Sequence, residues 1–193
     1  MLTQSSVSLL NLPARNAIVP VVETRVQFVQ ALESSSVKVI LVRHCNIFEF
    51  SALIESGQRL GCSVYINMDH IDGVHPDAAG LRYLAEQLHI TGIVSNHPKI
   101  LSTGKQFGLE TIQRIFAVDS TGLEMALESL DSASVDILDF SPALVVPYII
   151  PNLRPYLPLP YMASGLVHTG EQLRAILRTG VRAVAVTRSE LWA

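Results

Sequence analysis

The sequence predicts an α/β fold, a small single-domain (β/α)8 TIM barrel in which eight parallel strands close on themselves inside a ring of helices. Short runs rich in Val, Ile and Leu recur along the chain, each followed by a stretch with helical spacing, and that alternation marks repeated βα units around a parallel sheet. The chain has 193 residues, 49% of them hydrophobic and 16% charged, enough apolar material for one real core and too little for two. A single domain over residues 1–193 is therefore expected, with the barrel over about 17–192 behind a short N-terminal extension. An open doubly wound sheet is the alternative, since short parallel strands look alike in both, but neither G-x-G-x-x-G nor G-x-x-x-x-G-K-[ST] occurs.

The first strand is placed at 17–22 (AIVPVV) and its helix at 25–32. The second strand is 37–42 (VKVILV), and Ile47, Phe50, Leu53, Ile54 and Leu60 form the buried stripe of the next helix, which Gly57 and Gly61 bring to its end. The third strand is 63–68, running into Asp69-His70, and its helix covers 77–88 with Pro76 at the first turn. The fourth strand is 92–95 with a helix over 99–107, and the fifth is 110–116 with a helix over 120–130. The sixth is 135–140 with a Pro-interrupted helix over 143–153, and the seventh is the short 161–163 with a helix over 171–178. The eighth strand is 183–186. At about 24 residues per unit the barrel is lean beside the roughly 250 residues typical of the fold.

Composition narrows the function classes. Fourteen Lys plus Arg against seventeen Asp plus Glu give a formal charge of -3, so no global positive field draws the molecule to nucleic acid or anionic membrane. Only the last forty residues are net basic. Cys45 and Cys62 form no C-x-x-C pair, which argues against a zinc site or disulfide framework and fits a reducing cytoplasm. The sequence shows neither an export signal nor about 18 uninterrupted apolar residues, so no membrane role is expected.

Ligands of such barrels bind at the C-terminal ends of the strands, where polar residues follow apolar runs. The candidates are Arg43-His44, Asp69, Ser95-Asn96-His97, Gln113-Arg114, Asp139, Ser164-Gly165 and Thr187-Arg188. Arg114, inside the apolar run ETIQRIF, is the most informative, because a permanent charge there needs an anion or a carboxylate. It either forks onto a ligand phosphate or carboxylate, or pairs structurally with Asp69 or Asp139. Either aspartate could instead accept hydrogen bonds from ligand hydroxyls. Gly165 after Ser164 lets backbone N–H groups approach an anion, or simply makes a tight turn. The six histidines form no metal motif, and no nucleophile elbow or activated cysteine is present, so neither a metal, a cofactor nor a catalytic residue is assigned. Arg174, Arg178 and Arg182 are spaced by four on the C-terminal helix and its end, which makes Arg174 and Arg178 candidate RNA contacts or an ordinary solvated face.

The segments IVPVV, VYINMDHIDGVHPDAAGLRYL, GIVSNHPKIL, TIQRIFAVDSTGLE, VDILDFSPALVVPYI, YMASGLVHTGEQLRAIL and GVRAVAVTRSELW, in this order, resemble the glycerol-3-phosphate-responsive antiterminator family over about residues 17–192. The resemblance implies a cytoplasmic barrel that binds glycerol 3-phosphate or a similar phosphorylated polyol and acts on leader mRNA to prevent premature termination, with a homo-oligomer possible. Carried over by position, Asp69, Gln113, Arg114 and Asp139 line the pocket and Ser164 and Gly165 join the phosphate cradle; Asn96, His97 and Thr187, the nearest hydroxyl where the usual Ser and Thr are replaced, are further ligand-binding candidates. The chain departs from the family where two glycines become Ser164-Gly165, a Thr and basic residue become Asn96-His97, and a Glu becomes Asp139. A histidine at 97 neutralises a phosphate less fully at neutral pH than Lys or Arg, so weaker, more pH-dependent binding is expected. An enzyme acting on a phosphorylated polyol or sugar, or a diverged paralogue acting through protein contacts, are the rival readings.

Overall fold

The computed structural model describes residues 7–192. Eight strands form a closed parallel barrel: β1 (Ile18–Val22), β2 (Val39–Val42), β3 (Ser63–Asn67), β4 (Gly92–Ser95), β5 (Glu110–Phe116), β6 (Ile137–Ser141), β7 (Tyr161–Ser164) and β8 (Val184–Val186). Every strand pairs with its neighbours in sequence, and Ile18 opposite Val184 closes the ring. The helices between them are α1 (Arg25–Glu33), α2 (Ile47–Arg59), α3 (Ala78–Glu86), α4 (Pro98–Gln106), α5 (Ser120–Glu128), α6 (Val146–Leu153) and α7 (Gly170–Leu177). Among the described residues no helix is long and apolar enough to cross a membrane.

The helix starts are encoded locally. Thr24 and Thr169 close capping boxes with Gln27 and Gln172, and Asn46, Asp77 and Asp119 each accept a backbone N–H of the first turn of α2, α3 and α5. Pro98 opens α4. All these caps lie at the C-terminal ends of the strands, so the positive ends of several helices surround the barrel mouth. Most boundaries shift by one or two residues from expectation, and two of the shifts have a local cause. The third strand stops at Asn67, because its side chain takes the Asp69 amide and turns the chain into a 3-10 segment over Met68–His70. The segment after β6 begins as a 3-10 turn, Ala143–Val145, before α6 starts.

Strand alternation divides the core into two layers. Outward positions such as Val42, Ile66, Ile93, Ile115 and Phe140 pack beneath the helices with Phe28, Phe50 and Leu84. Inward positions such as Val21, Leu41, Tyr65, Val94, Ile112, Ile137 and Met162 fill the barrel, and Leu9 and Leu12 of the N-terminal segment join them from below. That lower closure is hydrogen-bonded: the Tyr65 hydroxyl accepts from the Leu9 amide and donates to Glu110 Oε1, both at 2.9 Å, and Ser63 Oγ donates to the Val7 carbonyl. Burial raises both the Tyr65 phenol and the Glu110 carboxyl above their ordinary values.

No α-helix follows β8 in the described chain; a 3-10 turn, Ser189–Leu191, leads to buried Trp192, whose Nε1 donates to the Val186 carbonyl at 2.8 Å. Trp192→Phe keeps most of the packing and orphans that carbonyl, so thermal denaturation should show a loss of about 1 kcal/mol. An unchanged melting temperature would show that the bond contributes nothing net.

Candidate functional site

The mouth is built by the inward residues at the tops of the strands. In β5 the alternation places Glu110, Ile112 and Arg114 inside and Thr111, Gln113 and Ile115 toward the helices. Arg114 and Asp139 are register partners on β5 and β6. Arg114 Nε donates to Asp139 Oδ2 at 2.9 Å, and Ser164 Oγ from β7 donates to the same oxygen at 2.9 Å. The Arg114 side chain is 7% exposed and that of Asp139 fully buried. The contact uses one guanidinium nitrogen; the two terminal nitrogens of Arg114 have no partner among the described residues. A buried pair of this kind is sustained by such added hydrogen bonds, because desolvation offsets most of its Coulomb attraction.

Asp69 does different work. Its Oδ1 accepts from Ser95 Oγ at 2.5 Å and its Oδ2 from the Asn96 amide at 3.0 Å, while Ser95 Oγ also accepts from the His97 amide at 3.0 Å. Asp69 therefore pins the loop after β4, leaving Asn96 and His97 exposed beside the opening. His97 is the N-cap residue of α4 but gives no side-chain cap. Gly165 follows Ser164 with φ +87°, and its carbonyl accepts from the Ala143 amide at 3.1 Å. A Cβ there would stand 3.1 Å from Ser141 Oγ, so the β7 loop approaches the β6 loop as only a glycine comfortably allows. Thr187 and Arg188 are exposed beyond β8, where Arg188 Nε lies 3.3 Å from His168 Nδ1.

Gln113 is the correction. It is adjacent in sequence to Arg114 but on the opposite side of β5, buried toward the helix layer, so it does not share the opening with Arg114. Of the candidate RNA residues, Arg174 is exposed on α7 with its guanidinium folded back beside Gly170 at the start of that helix, while Arg178 caps the far end and leads toward Arg182. The Arg154 guanidinium lies close to Gly180 in the turn between Arg178 and Arg182, and exposed Tyr156 follows it.

Three features were not anticipated. Asn67 is fully buried at the top of β3, in phase with Tyr65 and therefore inside the barrel. Glu23 at the end of β1 receives both Nε and Nη2 of Arg43, at 2.9 and 2.6 Å, which ties the first two strand ends together. His44 and His70 stack with centroids 4.4 Å apart, carried by a two-residue parallel ladder, Cys45–Asn46 with Ile71–Asp72. A polar residue in phase with the inward positions would have flagged Asn67; nothing in the sequence announces the histidine pair. A separate cleft of about 1070 Å³ lies at the other end of the barrel, lined by Lys38, Gln58, His89, Lys105 and Asp136, with Lys105 and Asp136 paired.

The family model described as glycerol-3-phosphate responsive antiterminator matches residues 18–192. The chain belongs to this family. The glycerol uptake operon antiterminator regulatory protein of Listeria monocytogenes shares its fold with a TM-score of 0.83 at 22% identity, covering 94% of this chain and 97% of that one. A glycerol uptake operon antiterminator-related protein of Thermotoga maritima superposes with a TM-score of 0.78 at 23% identity, over 91% and 97% of the two chains. The protein YgcP of Escherichia coli is 23% identical over 184 residues, 95% of each chain. In this family member Arg114, Asp139 and Ser164 are joined by hydrogen bonds at the strand tops, and Asp69 is joined to Ser95 and Asn96.

Burial together with the neighbouring charges of His44, Arg114 and Arg43 holds the His70 imidazole below its usual range, against a smaller opposing pull from Asp69. The native state then binds fewer protons than the unfolded chain below about pH 6.5, so His70 weakens the fold as pH falls. Proton NMR should show the His70 ring titrating below 6.5 and moving upward when an anion occupies the mouth. A ring titrating above 6.5 in the empty protein would contradict this electrostatic picture.

Proposed function

We propose that this antiterminator binds glycerol 3-phosphate in the barrel mouth and that occupancy governs its action on a leader mRNA. One observation carries the reading: Arg114 is buried and anchored to Asp139 through Nε alone, so its terminal N–H donors are held in place with their hydrogen bonds unspent. A fixed, partly desolvated guanidinium is suited to bidentate contact with a phosphate. The Ser164-Gly165 turn brings backbone into the same opening, with His97 and Thr187 at its edge. The regulatory character of the family supports a binding role rather than turnover. So does the use of both mouth aspartates as tethers, Asp69 for the β4 loop and Asp139 for Arg114 and Ser164.

For RNA, the favoured surface is the flank of Arg154, Arg174, Arg178 and Arg182 with the exposed ring of Tyr156, which combines phosphate contacts with a stacking face. Single-round transcription of a template carrying the leader terminator tests the whole reading. Readthrough should rise with this protein in a manner dependent on glycerol 3-phosphate, and equal readthrough with and without the ligand would overturn it. Arg178→Ala with Arg182→Ala should weaken leader binding and lower the slope of log affinity against log salt by up to about 2, one for each phosphate left without its arginine. An unaltered slope would move the RNA surface elsewhere.

A further inference from the structure

Among the described residues two buried polar atoms inside the barrel mouth lack any partner, Nδ2 of Asn67 and Oδ1 of Asp139. Both residues are fully buried. Strand phase turns both inward, Asn67 with Tyr65 and Asp139 with Ile137. The rest of each side chain is committed. Asn67 Oδ1 accepts the Asp69 amide at 3.0 Å, which leaves its NH2 end free. Asp139 Oδ2 takes both Arg114 Nε and Ser164 Oγ, which leaves Oδ1 free. Gln113 Oε1 is also unpartnered, but it faces the helix layer and takes no part.

The mouth therefore holds one spare donor and one spare acceptor, each of fixed identity. Native interiors leave few such atoms unmet, and each costs about 1–3 kcal/mol while it stays so. We propose that these two atoms form a hydroxyl-reading floor, with Asp139 Oδ1 accepting from a ligand hydroxyl and Asn67 Nδ2 donating to a ligand oxygen. The inference rests on the reading of the mouth as a polyol phosphate site and adds to it the basis of selection among such ligands. A carboxylate oxygen paired to a guanidinium only accepts, so it demands an O–H; a ligand with hydrogen at that carbon leaves the acceptor dry and unpaired. Sites built to hydrogen-bond a hydroxyl reject the analogue lacking it far more strongly than apolar pockets reject an extra group. Asn67 donates equally to a hydroxyl, ether or carbonyl oxygen. It adds affinity, and Asp139 supplies the discrimination.

The test is calorimetric titration of the unaltered protein with glycerol 3-phosphate, 3-hydroxypropyl phosphate and 2-hydroxypropyl phosphate, the last two each lacking one hydroxyl. The expected result is that one of the two deoxy compounds binds at least roughly 100-fold more weakly than glycerol 3-phosphate. Asn67→Asp keeps the oxygen that holds the Asp69 amide and removes the donor, so it should weaken glycerol 3-phosphate by about tenfold or more, and a deoxy compound lacking the oxygen that Asn67 meets should be weakened less. Three similar affinities would overturn the hydroxyl-reading floor while leaving the phosphate site standing, and an unchanged affinity in Asn67→Asp would remove Asn67 from it. Failure of all three to bind the unaltered protein would overturn the phosphate site and this inference with it.

Discussion

Replacing Arg114 with alanine is expected to abolish glycerol 3-phosphate binding and to destabilise the fold by about 3–5 kcal/mol, the usual consequence of leaving one member of a buried ion pair behind. The two losses have separate causes. Stability falls because Asp139, fully buried, loses both its guanidinium partner and the Nε donor. Binding falls because the terminal guanidinium fork is gone. The double variant Arg114→Met with Asp139→Leu separates them, since removing both charges relieves the stranded carboxylate without restoring any anion contact. Denaturant unfolding should show most of the stability recovered in the double variant, and calorimetry should show no binding in either. Retention of binding in Arg114→Ala would place the phosphate elsewhere.

The second large effect lies at the other end of the barrel. Gly92 opens β4 facing inward, and a Cβ built there would stand 2.4 Å from the Glu110 carbonyl and 2.6 Å from Cε1 of Tyr65. The missing side chain makes room for the Tyr65 ring, which in turn holds the N-terminal segment through the Leu9 amide and Glu110. Gly92→Ala forces strand or ring to move in a close-packed interior, at an expected cost of about 3 kcal/mol or more. For a chain of this length that lowers the melting temperature by about 6–12 °C. A change within a degree or two would mean that the lower barrel is looser than its close packing indicates. Because the site is distant, glycerol 3-phosphate affinity measured below the new transition should be unaffected.

The barrel was legible because its signals are local and repeated. Eight apolar runs, seven of them followed by a helical stretch, leave few topologies open, and Thr24, Asp77, Asp119 and Thr169 cap helix starts by chemistry that does not depend on tertiary context. Arg114 stood out because a charge in an apolar strand needs a reason, and of the two aspartates offered as partners it takes Asp139. Orientation was not legible. Strands buried on both sides carry no alternation of apolar and polar residues, so ETIQRIF does not reveal that Arg114 faces the barrel and Gln113 the helices. For the same reason Asn67 passed unnoticed at the end of SVYIN, and its capping of the Asp69 amide, which ends the strand early, is a side-chain contact that spacing cannot foretell. The Asp69 tether and the stacked His44 and His70 depend on loops from different βα units meeting above the barrel, which only the closed ring brings about.

Calorimetric titration of glycerol 3-phosphate into the unaltered protein, with glycerol and inorganic phosphate as comparators, bears most directly on the central claim. Saturable one-to-one binding, much stronger than for either fragment, is the predicted result, because the Arg114 fork and the inward polar atoms of Asn67 and Asp139 reward the two halves of the ligand together. No binding at millimolar ligand, or equal binding of inorganic phosphate, would contradict it.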